Sequence, residues 1–215
     1  MVEPISLEGT ITSVARSADA QAVPAVRLAG VYKAFIARGS GDTPMLALED
    51  VSFTADAGEF VSLVGPSGCG KSTCLNLLAG LDESSSGAVE HHGRPVRGVN
   101  TQLGYITQDD NLLPWRTLLA NVELGLEFKG VPKDEQRRRA QEFIELVGLG
   151  GFEKHYPHEL SGGMRKRAGI IRTLVYESDV VLMDEPFGPL ARRPASSSSR
   201  SCSSSGSGRG RRSCS

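Results

Sequence analysis

The sequence predicts an α/β fold organised around a parallel sheet, and three observations carry that prediction. The apolar run FVSLVG (60 to 65), a strand of the fully buried kind, passes straight into a glycine-rich turn and then into KSTCLNLLAGL, whose Leu75, Leu78 and Ala79 recur at helical spacing. A second apolar run, VVLMD (180 to 184), has the continuous hydrophobicity of a strand covered on both faces. Between them, strand-like LGYIT (103 to 107) precedes two helical stretches, LLANVELGLEF and KDEQRRRAQEFIELVGL. The second of these carries Ala140, Phe143, Ile144 and Val147 on one face. Strands alternating with helices are the pattern of a parallel sheet with helical crossovers.

The N-terminal part reads differently. VRLAGVYKAF (26 to 35) is β-like, and LALEDVSFTA (46 to 55) alternates apolar and polar residues at period two before the Asp56-Ala57-Gly58 turn. ARGSGDTP between them is rich in turn formers, so this region is expected to be an antiparallel β portion. Residues 1 to 24 show no sustained periodicity and are expected to form a flexible leader.

Bulk properties narrow the function classes. A chain of 215 residues accommodates one well-buried domain, and a hydrophobic fraction of 39% suffices for a core. Net charge is −1, which gives no indication of a nucleic-acid partner. The balance conceals an asymmetry: residues 191 to 215 hold six Arg and no acid, against 18 basic and 25 acidic residues before them. Cys69, Cys74, Cys202 and Cys214 have neither metal-ligand spacing nor the density of a disulfide scaffold, and read as small side chains in a reducing compartment. MVEPISLEGT lacks the basic start and apolar run of a secretory signal. No stretch approaches the roughly 18 apolar residues of a membrane span, so a membrane role requires a partner protein.

Chemistry concentrates in three stretches. GPSGCGKST (Gly65 to Thr73) is the phosphate-binding pattern G-x-x-x-x-G-K-[ST], set between a strand and a helix as that pattern requires. Gly65, Gly68 and Gly70 allow a tight backbone turn that aims N–H groups at phosphate oxygens, with Ser67, Cys69 and Thr73 completing the stretch. Lys71 is expected to reach the β and γ phosphates and the Ser72 hydroxyl to bind Mg²⁺. VVLMDE delivers Asp184 and Glu185 at the C-terminal edge of a strand, where open α/β sheets bind ligands. Asp184 is expected to hold Mg²⁺ and Glu185 to act as general base on the attacking water. LSGGMRKRA (160 to 168) places Ser161, Gly162 and Gly163 at a helix start, where free N–H groups and a hydroxyl face an anion; the same residues also make an ordinary N-cap.

LSGGMRKRA, standing between the phosphate loop and the acid pair, resembles the signature sequence of ABC ATPases. LLPWRT after Gln108, together with LMDEPFG, is similar to the nitrate, sulfonate and taurine importer branch, and the resemblance runs from about residue 26 to 190. It implies a phosphate-loop NTPase fold with a RecA-like parallel sheet, and an ABC nucleotide-binding domain over 25 to 190 with a helical subdomain at about 109 to 165. It also implies ATP and Mg²⁺ as ligands and an ATPase that drives import of a small anion. The expected partners are transmembrane permease subunits and a second nucleotide-binding subunit packed head to tail, at the cytoplasmic face of the membrane. In that arrangement each signature helix completes the other domain's site. By the same resemblance Gln108 contacts Mg²⁺ or water, and Phe35 stacks on adenine, with Tyr32 the alternative and an ordinary core aromatic the simpler reading. Trp115 and Arg116 then lie near the permease-facing surface, with Trp115 alternatively in the helical core. The RRR run at 137 to 139 reads as a solvated helix face. His91, His92, His155 and His158 lack a helical ligand spacing and a carboxylate pattern, so none is assigned to a metal.

After DEPFG the chain departs from this family. Ala191 stands where the family's loop Asp is expected, no His follows His158, and eleven of the last 25 residues are Ser. Such a segment buries too little apolar surface to offset its ordering entropy, so 191 to 215 is expected to be a disordered Ser/Arg-rich tail. The abrupt change suggests a shifted reading frame and a truncated domain. The strand that the family places between FVSLVG and VVLMD would then be missing, the sheet incomplete, and ATP turnover weak.

Overall fold

The computed structural model describes residues 11–14, 23–36 and 44–185. Val26, Leu28 and Val31 are buried along β2 (Val26–Ile36), as are Leu48 and Val51 along β3 (Pro44–Ala55). The two strands pair antiparallel, with Val26 opposite Ala55 and Phe35 opposite Met45. The loop 37–43 between them lies outside the described residues. β5 (Ser86–His91) and β6 (Arg94–Pro95) extend this sheet on the other side of β2, giving the order β3-β2-β5-β6. They were not expected: in SGAVEH only His91 is buried, so the strand presents no apolar alternation.

This sheet covers α1 (Lys71–Ala79), whose Cys74, Leu77, Leu78 and Ala79 join Val26, Leu28, Val31, Leu48 and Leu182 in one core. Gly80 ends the helix in the left-handed conformation at φ 66°, a conformation that glycine adopts without penalty.

The expected parallel sheet is present in part. β7 (Gly104–Ile106) and β8 (Val181–Met183) pair in parallel, with Tyr105 opposite Leu182. β4 (Phe60–Leu63) belongs to a different sheet, in which its antiparallel partner is β1 (Ile11–Val14). β1 lies within the stretch, 1 to 24, expected to be a flexible leader. Among the described residues no strand joins β4 to β8. Both strands were expected to be fully buried, and this too is corrected: Phe60 is 71% exposed, Val64 58% and Met183 42%, and in β8 only Leu182 is buried. A strand is covered on both faces only when its neighbours in the sheet carry helices across them, and among the described residues no such neighbour stands between β4 and β8. The Ser/Arg-rich segment 191 to 215 lies outside the described residues.

A second core binds the helical part. α2 (Leu118–Phe128) matches LLANVELGLEF, and α3 (Lys133–Leu146) buries Ala140 and Ile144 with Phe143 and Val147 beside them. α4 (Gly162–Leu174) closes the core through Ala168 and Ile171, so the helical core extends past residue 165. The RRR run is a solvated face: Arg138 pairs with Glu135 and Glu142, and Arg139 with Glu135 and Glu177. At these exposed positions each pair contributes little. Among the described residues no helix is long and apolar enough to cross a membrane.

Candidate nucleotide-binding site

β4 leads into a loop whose Gly68 and Gly70 sit at φ 83° and 91°, the left-handed region. A Cβ on Gly70 would stand 2.5 Å from Leu48 Cδ2 and 2.8 Å from the Ala47 carbonyl oxygen, so the loop is pressed against β3 with no room for a side chain. α1 begins directly after, and no side chain caps its N-terminus. Its first N–H groups therefore remain available to an anion, in the favourable field of the helix end. The Lys71 ammonium curls over the loop and donates to the carbonyls of Gly65 and Pro66, both at 2.9 Å, with Cys69 Sγ at 3.7 Å. Ser72 is exposed on the first turn. Cys74 is a packing residue, as expected: burial first, and then Cys69, push its thiol up to about 11.

β8 brings the acid pair to the same layer. Leu182 packs in the core that holds α1, and the Asp184 N–H donates to the Ile106 carbonyl at 2.8 Å, prolonging the β7–β8 ladder. Tyr105 spans from β7 to α1, its hydroxyl donating to Asn76 Oδ1 at 3.0 Å. Burial, and after it the Asp184 charge, raise the Tyr105 pKa. Glu185 is exposed and occupies the left-handed region at φ 44°. A glutamate held there is uncommon and directs attention to the site rather than to packing.

Gln108 follows β7 and is exposed, and its segment is held from behind by α4. Lys166 donates to the Gln108 carbonyl and, at 3.3 Å, to that of Thr107. Arg165 Nε bonds Asp110 at 3.1 Å, and Arg172 donates to the carbonyls of Asn111 (2.6 Å) and Asp110 (3.3 Å). A Cβ on Gly169 would stand 2.9 Å from the Asp110 carbonyl oxygen, so the loop lies directly on the helix. This basic clasp went unread in the sequence, although Arg165, Lys166 and Arg172 are seven residues or fewer apart on one helix. Lys166→Ala is expected to speed amide exchange across 107 to 111 while costing less than about 1 kcal/mol of global stability, because the contact is partly solvated. Unchanged exchange in that segment would show that the clasp does not restrain it.

Ser161 caps α4, its Oγ accepting the Met164 N–H at 3.3 Å, and Gly162 and Gly163 are exposed beside it. The plain N-cap reading of this stretch is therefore correct as local structure. From this end α4 runs ~20 Å to the end that packs on β7. One chain thus brings the phosphate loop and the acid pair onto one core and leaves the signature end on the other. Phe35, at the end of β2, is 38% exposed with the Lys33 ammonium 4.8 Å from its ring centre. Trp115 is 71% exposed, so the alternative that it fills the helical core is ruled out. Arg116 beside it pairs with Glu127 at 2.6 Å.

Residues 48–188 match the ABC transporter family profile. The chain belongs to the ABC transporter family. It is 48% identical over 144 residues to the uncharacterized ABC transporter ATP-binding protein MJ0412 of Methanocaldococcus jannaschii, covering 67% of this chain and 54% of that one. It is 46% identical over 144 residues to the taurine import ATP-binding protein TauB of Yersinia pestis, covering 67% and 56%. Against the aliphatic sulfonates import ATP-binding protein SsuB of Bacillus subtilis it is 46% identical over 166 residues, covering 77% and 63%. The chain therefore spans 54 to 63% of the length of these relatives. The dimeric structure of the ABC transporter cassette MJ0796 superposes with a TM-score of 0.70 at 35% identity, covering 77% of this chain and 75% of that one. A post-hydrolysis dimer of the same cassette, bound to ADP and Pi, gives 0.68 at 36% identity, covering 75% and 74%. The phosphate-loop ATPase fold expected for this ABC domain is thereby established.

Proposed function

We propose that this ABC domain binds ATP with Mg²⁺ and, paired head to tail with a second nucleotide-binding subunit, hydrolyses it to drive import of a small anion of the taurine, sulfonate or nitrate class. The observation that carries this reading is the glycine-lined loop at the uncapped start of α1, on the same core as the strand that ends in Asp184 and Glu185. In the proposed site the N–H groups of Gly68 to Thr73 receive the phosphates, and Lys71 exchanges its loop carbonyls for phosphate oxygens. Ser72, Asp184 and Gln108 offer oxygen atoms only, the donor set that suits a hard cation, and would hold Mg²⁺, which neutralises charge on the phosphates when bound. Glu185 orients and polarises the attacking water. Ser161, Gly162 and Gly163, at the far end of α4, serve the partner subunit's nucleotide, and Phe35 stacks on adenine. Exposed Trp115 and neighbouring Arg116 face the permease, which keeps the domain peripheral at the cytoplasmic side of the membrane. TauB and SsuB, named for taurine and aliphatic sulfonate import, support the substrate class.

The test is a pair of variants assayed with permease subunits. Glu185→Gln should bind ATP as the parent does and lose at least about 10²-fold in hydrolysis, the scale of a general base. Lys71→Ala should lose binding itself. Equal hydrolysis by Glu185→Gln and the parent would remove Glu185 from its role.

A second reading, a domain that binds nucleotide or a transporter partner with little turnover, is favoured by one observation. β4 and β8, which carry the two halves of the site, belong to different sheets and leave Phe60, Val64 and Met183 exposed. A site whose halves are not fixed to one sheet loses the positioning on which phosphoryl transfer depends. ATP binding with hydrolysis far below that of full-length SsuB under matched conditions would select this reading, and equal rates would exclude it.

A further inference from the structure

His91 ends β5 and His92 follows it in the turn; were the strand continued, their side chains would point to opposite faces. Here they do not. His92 takes φ 47° and Gly93 φ 69°, and this turn swings the second ring round to the first, with ring centres 4.5 Å apart. Asp179, in the loop that joins α4 to β8, meets them both. Its Oδ2 is hydrogen-bonded to His92 Nε2, and its Oδ1 stands 3.8 Å from His91 Nε2. One ligand atom from each of the three side chains lies within 4.8 Å of the other two.

A surface ion pair between His92 and Asp179 accounts for only half of this arrangement. His91 is 5% exposed, and its Nε2 has no hydrogen-bond partner among the described residues. At 3.8 Å the carboxylate is beyond hydrogen-bond reach. A buried, unpartnered ring nitrogen aimed at a carboxylate and a second imidazole is what a cation between the three would satisfy.

We propose that His91, His92 and Asp179 form a binding site for a divalent transition-metal ion of the zinc type, clipping the end of β5 to the loop that enters β8. Two imidazole nitrogens and one carboxylate oxygen are a donor set that zinc accepts, with a fourth position left to water. Tetrahedral bonds of about 2.0 to 2.1 Å put ligand atoms roughly 3.4 Å apart. The observed 3.8 Å from His91 to Asp179 is close to that spacing, and a small rotation of the exposed Asp179 or His92 side chain completes it. Magnesium prefers oxygen ligands and is a poor competitor for imidazole. The site is separate from Ser72, Asp184 and Gln108, and its consequence is mechanical: it ties the antiparallel sheet to the strand that carries the acid pair.

The full chain, with excess Mg²⁺ present, is titrated with Zn²⁺ against a chromophoric chelator, and its melting is followed in parallel. One equivalent of Zn²⁺ should bind and raise the melting temperature. His92→Gln and Asp179→Asn, both at exposed positions, should each weaken binding at least about tenfold and abolish the shift. His91→Gln should do the same, but its buried position makes the two exposed variants decisive. Absence of stoichiometric binding in the parent overturns the proposal. So does binding that His92→Gln and Asp179→Asn leave unchanged, since the ion then sits elsewhere, at the cysteines for example.

Discussion

Gly70→Val is expected to eliminate nucleotide binding, with an affinity loss of at least about 10²-fold in a fluorescent-nucleotide titration. A residue with a Cβ at φ 91° carries strain of about 1 to 3 kcal/mol, and here the new atom also overlaps Leu48 Cδ2 at 2.5 Å and the Ala47 carbonyl oxygen at 2.8 Å. Leu48 is itself buried, so it has nowhere to go and the loop must lift off β3. Gly68 provides the internal control. It has a similar φ of 83° but nothing within 4 Å of its Cβ position, so Gly68→Ala should be much the milder change. Equal losses for the two would mean that conformation alone, not contact with β3, sets the loop's geometry.

The second large effect lies away from the nucleotide. Asn121 is fully buried within α2, and its side chain serves the LLPWRT loop. Oδ1 accepts the Leu113 N–H at 2.7 Å, while Nδ2 donates to the carbonyls of Leu113, Arg116 and Thr117 at 2.9 to 3.1 Å. Asn121→Leu fills the same space but orphans the Leu113 N–H and the Arg116 carbonyl, at about 1 to 3 kcal/mol each, while the Leu113 and Thr117 carbonyls keep the Arg116 and Asn121 N–H groups as donors. The expected destabilisation is roughly 3 to 5 kcal/mol, a fall in melting temperature of about 10 °C or more for a domain of this size. Urea or thermal melts measure it, and a shift under about 3 °C would show that water replaces the lost amide. Because the loop carries exposed Trp115, the permease contact proposed for it should weaken along with stability.

The helices were legible because their apolar residues recur at helical spacing. LLANVELGLEF is α2 residue for residue, and Ala140 and Ile144 are buried as their positions on α3 require. The phosphate loop was legible because its chemistry is local: glycines, lysine and helix start lie within nine residues. What escaped depends on distant partners. Asp179 meets His92 from 87 residues away, so a reading that looked for ligands on a common helix did not find them. Asn121 resembled an incidental polar residue in an apolar helix, since its acceptors and donor lie in the preceding loop. β5 and β6 lack the alternation that marks a strand because their neighbours, β2 for β5 and β5 for β6, hold them in place rather than their own side chains. The full burial expected of β4 and β8 failed because a hydrophobic run records the sheet a strand is suited to, not the neighbours it has.

α4 acts as a lever arm. Ser161 is its tip, and Lys166, Arg165 and Arg172 rivet the Gln108 segment along its shaft. Tilting a ~20 Å rod by ~10° about its inner end carries the tip through ~3.5 Å. In the head-to-tail pairing proposed above, a push delivered at the tip by the facing subunit is passed to Gln108 through these hydrogen bonds.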